Sequence, residues 1–599
     1  MVLPKSIHTF HIPVMGLAYT IDSPIRVSQY GISSVISIID DELMEKMNAF
    51  YSEKFNLPYQ EISKKVQDYR AKRITSYLNL VDTIVKENFS KLKTELTETK
   101  LALENFRATL PNKSRIKKGI TNLLDQGALK GSILNYLERH LKAGDIDVNI
   151  MTKLDKDNFL KGEQLPVEFN DAHASLRGFA NSNLNSSVVL SAGMNPRLYS
   201  YFEKFNDFFP DSQGQLKKKI VLKVSDYRSA TIQGKFLAKK GLWVSEYRIE
   251  SGLNCGGHAF ATDGLLLGPI LEEFKNKKAA LIQDTHDLFV KALSLKELVV
   301  PEQHLDLRIT VQGGVGIADE HEFLLENYQV DSVGWGTPFL LVPEATSVDK
   351  HTRALLANAK EKDLYLSDIS PLGVPFNTIK GTTNEYHKQK RVDNNKAGSS
   401  CPKKYLALSK EFDAEGICTA SKKYQDVKLQ ELEAKRFEVS PNMYENAKAK
   451  INEKACLCVG LANASYLEND IKIKGQEQGV AICPGPNMAY FDKEVSLSKM
   501  MQHIYGNGSV LSHINRPNMF VKELKMYVDY FKNEIVAISE EVTTKQIKKW
   551  KAFKSNLFNG ITYYQELFLT SISSESTNIQ KELQFYKEEL IAVTIPELE

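Results

Sequence analysis

Residues 306–342 read DLRITVQGGVGIADEHEFLLENYQVDSVGWGTPFLLV, and this stretch decides the fold class. Two short runs rich in β-branched residues, each closing on glycines, flank a segment of helical length. A nearly continuous apolar strand has to be covered on both faces, which is the condition of a parallel sheet whose crossovers are helices. Working outward, the same unit recurs in SSVVLSAGM (186–194), KKKIVLKVSD (217–226) and LWVSEYRIESG (242–252), with helical segments after each. At the start of the chain, an apolar run from His11 to Ala18, a helix start at Ser23-Pro24 and the run Ser33 to Ile39 read as one more unit. This many units predict closure into a (β/α)₈ TIM barrel.

The rest of the chain has other periods. From about Asp41 to Leu160 long charge-rich segments carry apolar residues at three- and four-residue spacing, which predicts a helical insertion. Strand-helix alternation stops near Lys380, and the last hundred residues read as helical with a break at Arg516-Pro517. The expected organisation is therefore a barrel from 1–40 and 161–385, a helical insertion over 41–160, a cysteine-containing extension over 386–500, and a helical region over 501–599. The fold class is α/β, a TIM barrel with a large helical insertion and a mostly helical C-terminal extension.

Composition narrows the function classes. The 599 residues carry 77 Lys+Arg against 74 Asp+Glu, a net charge of +3, too small to suggest capture of nucleic acid. No run approaches the about 18 apolar residues of a membrane span, and MVLPKSIHTFHIPVMG lacks the apolar core of a secretory signal. The expectation is a cytoplasmic protein acting on a small molecule, with no nucleic-acid or membrane partner. The helical regions are where a second copy or an electron-transfer partner is expected to dock.

Three glycine-rich segments end predicted strands, the rim where barrel enzymes keep their sites. Gln312-Gly313-Gly314 and, one unit later, Gly334-Trp335-Gly336-Thr337 would let backbone N–H groups from neighbouring loops grip one phosphate. Each alone also reads as a tight strand-to-helix turn. The third, Gly252-Leu253-Asn254-Cys255-Gly256-Gly257-His258, leaves an imidazole beside two glycines, either free to exchange protons with a bound ring or satisfied within a turn.

IESGLNCGGHAF resembles the Gly-Gly-His motif of nitronate monooxygenases and flavin-type enoyl-ACP reductases. QGGVGIADE with VDSVGWGTPFLLVPEA is similar to the paired FMN-phosphate segments of that family, and HIPVMGLAYTIDSPIRVSQYGISSVISI to its opening strand. The similarity covers roughly 6–40 and 187–381. The resemblance implies an FMN cofactor, with His258 as the base beside the reacting carbon. It implies Gly313, Gly314, Gly336 and Thr337 at the phosphate, Met15 and Gly16 at the turn beside the ring, and Gly256 and Gly257 close to the cofactor. Lys223 would meet the N1–C2 edge, where a cation stabilises reduced flavin, or it is a surface strand lysine. Two departures stand out. Val315 and Gly316 are inserted between the glycine pair and Ile317, and Asn254-Cys255 stand where an acidic residue often precedes the motif.

Of six cysteines, Cys401, Cys418, Cys456, Cys458 and Cys483 fall in one stretch. Cysteines beside proline or in a Cys-x-Cys pair suit a [4Fe–4S] cluster, a four-thiolate zinc is the alternative, and five unconnected buried thiols are the plain reading. The leading function is nitronate oxidation by an FMN enzyme. The alternatives are an enoyl-thioester reductase using NAD(P)H and a flavin- or metal-containing scaffold with little turnover.

Overall fold

Eight short strands pair in chain order, every pair parallel. They are β1 (Phe10–His11), β2 (Ser34–Ser37), β3 (Ile146–Met151), β4 (Ser187–Ser191), β5 (Lys219–Val224), β6 (Val244–Glu250), β7 (Arg308–Gln312) and β8 (Ser332–Gly334). Each strand pairs with the next from β2 to β8, and β8 pairs with β1. The remaining seam is closed by a parallel bridge from Ile12 to Ser34 and by Ile12 N–H donating to Ser33 O at 2.9 Å. This computed structural model is thus a (β/α)₈ barrel, and it describes residues 6–254, 257, 263–473, 478–512, 516–536, 542–569 and 574–596.

Side chains two apart on a strand share a face, so the barrel interior is layered. Ser37, Asn149, Ser191, Lys223 and Glu250 face a cavity at the carboxyl ends of the strands. Beneath them Val35, Val189 and Val221 pack together with Val14 as an apolar floor. The lower layer is polar: Glu246 accepts from Arg248 Nη2 at 2.7 Å and from Thr310 Oγ1 at 2.6 Å. Burial opposes the Glu246 charge, yet Arg248 and Arg308 beside it hold its carboxyl down to about 2.

The insertion is helical from Asp41–Lys54 through Tyr69–Glu98, Lys100–Ala108 and Arg115–Asp125 to Lys130–His140. In the long helix Ile74, Leu78, Val81 and Val85 are buried at the expected spacing, and this helix packs on Asp171–Ala180. Its outer part has a small core of its own around Leu96, Phe106, Ile120 and Leu137. The insertion is shorter than the sequence suggested, because β3 lies inside the stretch read as helical and belongs to the barrel.

After β8 a hairpin, β9 (Leu364–Ser367) with β10 (Phe376–Ile379), leads into a roof over the barrel mouth. The roof is built on the helix Leu457–Glu468, buried at every position from Leu457 to Tyr466, as a helix apolar on all sides requires. The C-terminal helices Met519–Val536, Thr544–Leu567 and Ser574–Ala592 follow, the first starting just past Pro517. Barrel, roof and C-terminal helices share one hydrophobic core. Among the described residues no helix is long and apolar enough to cross a membrane.

Candidate active site at the barrel mouth

A cavity lies between the strand ends and the roof, partly open to solvent, at the rim where barrel enzymes keep their sites. Its floor and walls come from Val14, Gly16 and Leu17 after β1 and from the strand-end polar side chains. Phe376, Tyr405, Leu406, Leu457 and Leu461 cover it. Gly16 has φ +54°, and a Cβ there would collide with the Tyr19 ring, so only glycine makes this turn without strain. Met15 is fully buried behind it.

A polar cluster sits in the wall. Glu250 Oε1 pairs with Lys223 Nζ at 2.6 Å, accepts from Gln312 Nε2 at 2.8 Å and accepts from the Asn254 carboxamide. Lys223 is therefore a cavity residue and not a surface lysine. The carboxamide oxygen of Asn149, on β3, is buried at the same cavity with no hydrogen-bond partner among the described residues. A buried acceptor left open is costly unless a ligand donates to it.

The two glycine turns lie side by side, because β7 and β8 pair in register up to Gln312 and Gly334. Gly313 and Gly314 adopt φ +107° and +85°. Neither turn lines the cavity itself. They adjoin it through Asn254, whose backbone N would stand 2.9 Å from a Cβ at Gly313. Among the described residues, no hydrogen bond is formed by the amides of Gly313, Gly314, Gly336 or Thr337. The inserted pair changes the neighbouring turn: Gly316 N–H donates to Glu320 Oε2 at 2.9 Å, and Glu320 Oε1 is paired with Arg516 at 2.7 Å. Arg516 also donates to Gly314 O at 2.6 Å.

The roof reaches these turns. Gly485 N–H donates to Thr337 Oγ1 at 3.2 Å, and Asn487 Nδ2 donates to Val315 O at 2.8 Å. Farther round the mouth, past β1, a buried ion pair, Lys403 Nζ to Asp40 Oδ2 at 2.6 Å, ties the roof to the end of β2. The Tyr405 hydroxyl joins the same Asp40 at 3.0 Å.

Gly256 and His258 lie outside the described residues. Gly257 is placed at the cavity edge: its carbonyl accepts Asn377 N–H at 2.8 Å and its α-carbon packs against Phe376.

The cysteines do not form the expected metal centre. Among the described residues no group of three or more His, Cys, Asp or Glu side chains is arranged to hold a metal ion. All five thiols of Cys401, Cys418, Cys456, Cys458 and Cys483 are buried in the apolar roof. Cys401 and Cys418 hydrogen-bond to each other, which draws Cys401 down and pushes Cys418 up. Burial pushes Cys456 and Cys458 up, Cys458 and Cys483 face the cavity, and Cys483 Sγ lies 4.0 Å from Tyr19 Oη. Cys401, Cys418, Cys456 and Cys458 thus lie near enough to act on one another, yet no three of them are arranged as metal ligands.

Four residues of this site escaped the sequence reading. Glu250 had a usable signal, an acidic residue at the carboxyl end of a barrel strand. Asn149 was hidden with β3, and Arg516 and Tyr405 sit in segments with no pattern pointing to the barrel.

No protein-family model and no curated protein matches the chain. Among solved structures, FabK from Thermotoga maritima is similar at 11% identity and TM-score 0.36, covering 88% of this chain and 97% of that one. The enoyl reductase domain of MlnA, from the macrolactin biosynthesis cluster of Bacillus amyloliquefaciens, is similar at 12% and 0.31, covering 72% and 87%. Likenesses this distant add nothing to the barrel read from the strand register.

Proposed function

We propose that this chain is an FMN-dependent oxidoreductase whose substrate is a small carbon acid, with a nitronate as the leading class. The observation that carries the reading is the union, on one rim of the barrel, of two adjacent turns and a roofed cavity, the amides of the turns and the buried acceptor in the cavity having no partner among the described residues. These residues fit the group. The amides of Gly313, Gly314, Gly336 and Thr337 would hold its phosphate. Asn149 would accept a ring N–H, with Gly16 leaving room for the ring. Bound there, the flavin would supply a two-electron acceptor.

The chain's own contributions are orientation, exclusion of water and proton transfer. Tyr405, Leu406, Leu457 and Leu461 cover part of the cavity and reduce its exposure to solvent, which strengthens the electrostatic contacts inside. Gly257 at the cavity edge supports placing the neighbouring His258 as the base that would take the α-proton of a neutral carbon acid, turning a nitroalkane into the nitronate that then gives up its electrons. The test is anaerobic bleaching of the flavin in FMN-loaded protein. Bleaching by an alkyl nitronate and not by NADH or NADPH is the expected outcome. Bleaching by the nicotinamides alone would overturn nitronate oxidation in favour of enoyl-thioester reduction.

A further inference from the structure

Among the described residues lining the cavity there are two charges, Lys223 and Glu250, and they are paired with each other at 2.6 Å. A lysine poised to stabilise a reduced, negatively charged flavin is therefore neutralised in the resting protein. The carboxylate does not depend on the lysine for its place. Gln312 and Asn254, both uncharged, donate to the same Oε1, so Lys223 can swing to another anion without leaving Glu250 unpartnered.

We infer that Glu250 is a positioning residue that acts through Lys223: it sets how much positive charge a bound flavin meets, holding the lysine back until negative charge arrives. This rests on the flavin reading above and goes beyond it, since it assigns a role to a residue outside the glycine and histidine motifs. Removing a full negative charge a few ångströms from the lysine in a partly desolvated site should strengthen anion stabilisation by at least about tenfold.

The probe is sulfite, whose sulfur lone pair forms one bond to nitrogen of oxidised flavin and leaves the negative charge on the ring, with no oxidant or reductant consumed. The full chain is loaded with FMN and the sulfite dissociation constant is read from loss of flavin absorbance. Four proteins are compared: the unaltered chain, Glu250→Gln, Lys223→Met and the double variant. Glu250→Gln should bind sulfite at least tenfold tighter and Lys223→Met at least tenfold weaker. In the Lys223→Met background, Glu250→Gln should change the constant by less than about threefold.

Equal affinity in Glu250→Gln and the unaltered chain overturns the inference, and so does a gain that survives in the Lys223→Met background. Should Glu250→Gln not fold, Lys223→Met carries the test alone, and an unchanged constant there overturns it. Failure of the unaltered chain to take up FMN overturns the flavin reading itself, and this inference with it.

Discussion

Glu523 accepts the backbone N–H of Leu267 on Oε2 at 2.9 Å, while its Oε1 accepts Ser251 Oγ at 2.8 Å and Gly252 N–H at 3.2 Å. One buried carboxylate on the helix Met519–Val536 thus fastens both ends of the segment that carries the Gly-Gly-His motif. Leu267 opens the 29-residue helix Leu267–Leu295, whose N-terminal amides favour an anion. Burial pushes the Glu523 carboxyl up, and the three donors restrain that rise.

Glu523→Ala leaves three donors without their acceptor and should cost about 2–4 kcal/mol. Hydrogen exchange checks where the loss falls: the Gly252 and Leu267 amides should lose protection first, ahead of the barrel strands. Uniform loss across the barrel would mean that the carboxylate has no local role.

His321 should make the fold acid-sensitive. Trp335 Nε1 donates to His321 Nδ1 at 3.1 Å, which places the ring proton on Nε2, 2.9 Å from Thr9 Oγ1. A second proton has nowhere to go, and burial lowers the group to about 4. The folded pKa lies below the unfolded one, so the unfolded chain binds more protons between them. Stability is then intact above about pH 6.5 and lost as pH falls toward 4, by up to about 3 kcal/mol. Denaturant titrations of the unaltered protein and His321→Gln across this window should show a shallower pH slope in the variant. Parallel slopes would contradict the assignment.

Lys403→Met should strand Asp40 in the interior and cost about 3–5 kcal/mol, since both partners of the pair are buried. Because the pair ties the roof to β2, protease sensitivity should rise between residues 395 and 410. Restoring neutrality with Asp40→Asn in the same chain should recover part of the loss, and thermal melts would measure it.

Asn149→Leu removes an acceptor that has no partner among the described residues, so stability should hold or rise by about 1 kcal/mol. FMN affinity, measured by fluorescence titration, should fall about tenfold or more. A variant that binds FMN as tightly as the unaltered chain would take Asn149 out of the ring site.

The barrel was legible where strands are apolar on both faces. KIVLKV announces a parallel strand because helices cover one side while Val221 joins the valine floor on the other, and RITVQ because β-branched Ile309, Thr310 and Val311 follow one another without a break. β3 was not legible for the converse reason. In IDVNIM the inward positions are Asp147, at the polar lower layer, and Asn149, at the cavity, so a test for continuous apolar runs passes over it. The glycine turns could be read because positive φ and close backbone approach demand glycine. The thiols misled because nearness, which Cys401, Cys418, Cys456 and Cys458 do have, is not ligand geometry. The roof's Tyr405 and Arg516 meet the barrel through contacts hundreds of residues apart, which no local period encodes.

The central claim is that the turns after β7 and β8 hold the phosphate of FMN with its ring in the cavity. Mass spectrometry of cofactor released from untreated full-length protein, beside its visible spectrum, tests it most directly. The account predicts one FMN per chain, a two-band flavin absorbance, and loss of both in a Gly314→Val, Thr337→Val variant that still folds. Protein saturated with FMN in solution that shows no binding would contradict it.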